Sequence, residues 1–66
     1  MNRRLKERRK ALGLTQREVA KKIGMAYQQY QKYEDKGQIP NAVTACKIAV
    51  ALETTVENLW GDYHQE

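Results

Sequence analysis

Glycines at positions 13, 24 and 37 cut the first half of this chain into short pieces, and within each piece the apolar residues recur at helical rather than strand spacing. Short helices with glycine stops, in a chain of 66 residues, lead to one compact all-α domain. The stretch Gly13-Leu14-Thr15-Gln16, then Val19-Ala20, Ile23-Gly24, Tyr30 and Glu34, reads as two such helices joined by a turn. The second of them carries Tyr27, Gln28, Gln29, Gln31 and Lys32, more polar side chains than a packed face can use.

Caps and breakers place five helical segments. The first runs from about Arg3 to Leu12, with Leu5, Arg9 and Leu12 on one face and Gly13 as its left-handed C-cap. The second opens on the capping box Thr15-Gln16-Arg17-Glu18, with Leu14 and Val19 as its hydrophobic staple. Val19, Ala20 and Ile23 form its buried face, and Ala20 is small enough for another helix to cross closely. The third spans roughly Tyr27 to Asp35. Tyr30 and Tyr33 share one side of it; Gln28, Gln31, Lys32 and Asp35 lie opposite. Asn41 caps the fourth, whose expected inner face is Ala42, Ala45, Ile48, Ala49 and Leu52. Cys46 is expected beside that core as a small apolar filler. Thr55 caps a short fifth segment with Val56, Leu59 and Trp60 facing in, and residues 63–66 are expected to fray. Residues 1–66 are expected to form a single domain, with the turn-linked pair at about 16–35.

A chain of this size buries a modest fraction of its surface, so its stability must come from helix packing. One cysteine makes no intrachain disulfide, and no Cys/His spacing offers a metal site. No apolar run approaches a membrane span and no leader pattern is present, which leads to an expected cytoplasmic location. The charge is unevenly spread. Residues 1–36 hold eleven of the twelve Lys/Arg against four acidic residues, a balance of +7, while residues 37–66 balance at −3. Such a chain turns one positive face toward a polyanion.

No enzyme is visible. One His, one Cys and scattered carboxylates give no nucleophile–base pair and no metal cluster, and no glycine loop of the phosphate-cradling kind occurs. No cofactor and no small-molecule ligand are expected. A short helix dense in amides, beside a basic segment, is instead what reading bases in the DNA major groove requires.

The ordered set Gly13-Leu14-Thr15-Gln16, Val19-Ala20, Ile23-Gly24, Glu34, Pro40, Lys47-Ile48-Ala49 and Ala51-Leu52 resembles the Cro/C1-type (Xre-like) helix-turn-helix DNA-binding domains. The resemblance covers about Leu5 to Trp60. It implies a compact five-helix lambda-repressor-like fold, with the third helix in the major groove and the second across the phosphate backbone. It places Ala26, Tyr27, Gln28 and Lys32 at base-facing positions, Gln16 at a phosphate, and Gln29 where a contact with a phosphate or a base is usual. Arg9 and Glu34 match a structural pair that ties the first helix to the end of the third. Gln28 suits bidentate pairing with adenine. Tyr27 has three readings: contact with a thymine methyl, a bond to a phosphate, or packing on the first helix. Lys32 touches either a guanine or a phosphate. Arg17, Lys21 and Lys22 are either phosphate contacts or the solvated side of the second helix, and Arg17, beside Gln16 at the positive helix end, is the favoured contact. Arg3, Arg4, Arg8 and Lys10 are either a second backbone contact or a solvated face.

Four positions depart from the family pattern. Ala26 stands where a Ser or Thr cap is common, with Gln29 a candidate to compensate. Tyr30 replaces an aliphatic core residue, so its hydroxyl needs a partner. Lys36 stands where a glycine is usual, and Gly37 follows. Glu53 stands at a C-cap glycine position, which predicts a left-handed glutamate or a different turn. The expected function is sequence-specific binding of double-stranded DNA by a bacterial or phage transcriptional regulator, a repressor acting as a homodimer. No separate dimerisation domain is expected, so the exposed remainder of Val56, Leu59, Trp60 and Tyr63 is the expected dimer surface. Trp60 is either that or a lid on the core. The alternative is an antitoxin or protein-interaction adaptor on the same scaffold.

Overall fold

The computed structural model describes residues 1–61. Among them are five helices and no strand: α1 (Arg3–Ala11), α2 (Gln16–Lys22), α3 (Tyr27–Asp35), α4 (Ala42–Ala51) and α5 (Val56–Trp60). Four of the five start on a side chain that accepts from the backbone N–H three residues on: Asn2, Thr15, Asn41 and Thr55. At Thr15 the box is reciprocal, since the Glu18 carboxylate also accepts from the Thr15 N–H at 2.8 Å. Only α3 lacks a side-chain cap. Its N-cap is Ala26, and the Gln29 amide donates to the Tyr33 hydroxyl instead of compensating.

Stops are as local as starts. Gly13 adopts φ +71° just after α1, and Glu53 takes φ +57° after α4, the left-handed glutamate that its position predicts. Gly37, not residue 36, takes the left-handed turn after α3.

α2 packs on α3, α5 closes over α1 and α4, and α1 and α4 reach α3 and α2 respectively. Leu5, Val19, Tyr30, Ile48 and Leu52 are fully enclosed at the centre. Ala20, Ala45 and Ala49 are the small residues that let the helices approach.

Several side chains sit differently from the sequence expectation. Ala42 and Cys46 are exposed, and Ile23 is half-buried. Ala42 is the first residue of α4, and Cys46 is turned about 100° from the inward Ala45. Val56, first in α5, is 37% exposed, while Leu59 and Trp60 are 2% and 7% exposed. The last two therefore have little surface to offer a second subunit. Trp60 is a lid on the core, and its indole N–H finds no acceptor among the described residues. Tyr63 and the segment expected to fray, 63–66, lie outside the described residues.

Candidate nucleic-acid interface

A carboxylate with no contact with water anchors α3 from behind. Glu34 is fully buried and accepts four hydrogen bonds. Arg9 of α1 donates two of them, Nε to Oε2 at 2.9 Å and a terminal nitrogen to Oε1 at 2.7 Å, and donates a third bond to the Leu14 carbonyl at 2.7 Å. Tyr30 adds its hydroxyl at 2.9 Å, and Gln16 of α2 its amide at 3.0 Å. Burial pushes the Glu34 carboxyl up, but the donors from Arg9, Gln16 and Tyr30 outweigh it and hold the group below the ordinary carboxylate range. The bond to Glu34 raises the Arg9 pKa despite burial. Burial first, then the Glu34 charge, pushes the Tyr30 phenol well above its usual value. One ion pair thus joins α1, α2 and α3, and it fixes how α3 is turned about its own axis.

That rotation decides which side chains of α3 face out. Tyr30, Tyr33 and Glu34 point into the interior, while Ala26, Gln28 and Lys32 are exposed, the last two one turn apart on the same face. Of the three glutamines, two are tied within the helix. Gln29 donates to the Tyr33 hydroxyl at 3.1 Å, and Gln31 to the Tyr27 hydroxyl at 3.3 Å. Gln28 makes no such bond with the described residues, so both ends of its amide are available. Tyr27 is half-buried against the core, and the Arg17 guanidinium lies over its ring, 4.3 Å from the centroid.

The comparisons with known proteins point the same way. A helix-turn-helix family profile matches residues 5–59, most of the chain. The chain belongs to the Cro/C1-type helix-turn-helix family. It is similar to the cryptic phage CTXphi transcriptional repressor RstR of Vibrio cholerae serotype O1, at 40% identity over 58 residues. The aligned stretch is 88% of this chain and 52% of the relative, so the chain spans about half the length of the curated relative it matches. No solved structure matches it significantly. Neither finding favours an antitoxin or an adaptor.

In helix-turn-helix terms, α2 and α3 are the motif. The structure brings Gln16 and Arg17 together with Tyr27 around one cleft, whose other walls are Arg9 and Thr15. Gln16, expected at a phosphate, directs its amide nitrogen to Glu34 and, at 3.3 Å, to Asp35. With its amide donating to these carboxylates, Gln16 leaves its side-chain carbonyl as its open group.

Part of the basic first helix has a different duty from either sequence reading. Arg8 donates to the Leu52 carbonyl at 2.8 Å and the Glu53 carbonyl at 3.0 Å, closing the end of α4. Arg4 donates to the Asn58 carbonyl at 3.3 Å. Asn2, not singled out by the sequence, caps α1, donates its amide to the Leu59 carbonyl at 3.1 Å, and gives its backbone N–H to the Glu34 carbonyl at 2.9 Å. The only local signal for it was an Asn before a helical run; its distant partners left none. Among the described residues no group of His, Cys, Asp and Glu could hold a metal, and no helix is long and apolar enough to cross a membrane.

Proposed function

We propose that this chain is a sequence-specific, double-stranded-DNA-binding transcriptional repressor of bacterial or phage origin, reading the major groove with α3. The observation that carries this is the division of α3: a buried side locked by Arg9 and Glu34, and an open side bearing Gln28 and Lys32. Gln28 reads an adenine through its uncommitted amide, and Lys32, one turn on, reaches a guanine or a phosphate. Ala26 and Tyr27 border the same base pairs. Arg17, Gln29 and the backbone at Gln16 hold the phosphates. The protein acts in the cytoplasm, at the nucleoid, by occupying an operator and blocking polymerase. It binds as a homodimer on half-sites about one helical turn apart. Leu59 and Trp60 are committed to the core, so that contact uses Val43 and Val50 of α4 with Val56 of α5, which are among the exposed apolar side chains.

Selection from a random duplex library at two salt concentrations tests the reading. The expected result is a two-fold symmetric motif, bound with a log–log salt slope of about −0.9 per phosphate neutralised. Gln28→Ala is expected to flatten preference at one base pair per half-site, by about 1–3 kcal/mol, while the rest of the motif stays. A wild-type chain that selects no sequence overturns the function. A Gln28→Ala motif identical at every position overturns the assignment of that residue.

A further inference from the structure

The helix that must be held most firmly for base reading is the one helix without a side-chain cap. Ala26 offers no acceptor, so the first turn of α3, which carries Tyr27 and Gln28, lacks the restraint that the other four helices have. The same turn has a cation–ring tether, which no other helix start among the described residues shows. Arg17 reaches from α2 and stacks over the ring of Tyr27, the first residue of α3. Gln31, one turn along α3, donates to the hydroxyl of that ring. The ring also rests on the core cluster. It is therefore held beneath by apolar packing, above by a cation and at its tip by an amide. The cleft beside it, about 440 Å³, runs between the start of α2 and the start of α3.

We propose that the Arg17–Tyr27 stack stands in for the cap that Ala26 lacks, which makes Arg17 a positioning residue for the base-facing first turn of α3. This rests on the DNA-reading function proposed above and assigns Arg17 a part in specificity, beyond neutralising a phosphate. Stacking uses the face of the guanidinium and leaves its N–H edges for other partners, so both duties fit one side chain. A lysine keeps the charge but presents a compact ammonium with no plane to lay on the ring. Arg17→Lys therefore separates the two roles. Arg17 is exposed and makes no contact in the centre of the fold, so the variant keeps its structure.

The test is library selection with the wild type, Arg17→Lys, Tyr27→Leu and the double variant, together with the salt slope of each. Arg17→Lys is expected to lower discrimination about two- to fivefold, the range of an exposed cation–π contact, at the base pairs read by Tyr27 and Gln28. Preference at the base pair nearest Lys32 and the salt slope stay as in the wild type. The double variant is no more relaxed than Tyr27→Leu alone, because the two residues act through one contact. A motif for Arg17→Lys that matches the wild type overturns the proposal, as does strict additivity in the double variant. Either result leaves the DNA-binding function standing. A wild-type chain that selects nothing overturns both.

Discussion

The two ends of this small bundle are held together by different forces. Where α1, α2 and α3 meet, the joint is a buried ion pair with a tyrosine, a glutamine and a backbone carbonyl built around it. Where α4 and α5 meet the rest, the centre of the joint is apolar, made of Ala45, Ile48, Ala49, Leu52, Leu59 and Trp60, and beside it Asn2, Arg4 and Arg8 donate to backbone carbonyls. Apolar packing is non-directional and tolerates repacking at constant volume. A bidentate arginine–carboxylate bond accepts one geometry. The buried ion pair sits at the helix whose open side carries Gln28 and Lys32, whereas the other joint combines apolar bulk with bonds to neutral backbone carbonyls. A domain of this length has about 3–10 kcal/mol of stability in all, so the difference is measurable.

The largest effect is expected from Arg9→Met set against Ile48→Leu. Removing one partner of a buried pair costs about 3–5 kcal/mol, enough to unfold much of the population, whereas the aliphatic swap costs less than about 1.5 kcal/mol. Urea denaturation followed by circular dichroism checks both, and equal costs would break the comparison. A smaller effect is expected from acid. Because the Glu34 pKa is lower in the folded chain than its ordinary 4.5, its contribution is complete above that pH. It is then lost as pH falls through 4.5 toward the lower folded value. Glu34→Gln should be less stable at neutral pH and show a flatter acid limb in melting temperature. An acid limb as steep as that of the wild type would assign the loss to other carboxylates. The smallest effect lies in the aliphatic half. Glu53→Gly relieves a left-handed glutamate and should add about 0.5–1 kcal/mol, since the bond from Arg8 goes to the backbone carbonyl and survives. A melting temperature lower than that of the wild type would show that the glutamate side chain contributes more than its strain costs.

Much of this was legible in the residues, and the boundary follows the range of the forces. The box at Thr15, the caps at Asn41 and Thr55 and the stop at Gly13 depend on neighbours three or four positions away, and all are where the chain indicated. The five helices were readable for the same reason. Residue-level facing was less so at helix starts. Ala42 and Val56 carry the right period but are exposed at the first positions of their helices. Cys46 looked like filler by composition and lies on the outer side. Least legible were bonds that span the chain. Arg8 meets carbonyls 44 and 45 residues away, and Asn2 meets one 57 away. At the candidate site, the open position of Gln28 followed from helical spacing. The Arg17–Tyr27 stack did not, because it depends on the angle between two helices.

The sequence contains a single tryptophan, and α5 sinks it under the fold at 7% exposure. Its emission reports on a shielded indole rather than a wet one, and it shifts to the red when α5 lifts from α1 and α4. The surface bearing Gln28 and Lys32 is on another helix, so a ligand arriving there leaves this fluorophore largely undisturbed. The molecule thus has a built-in optical gauge of folding, and unfolding can be followed by light.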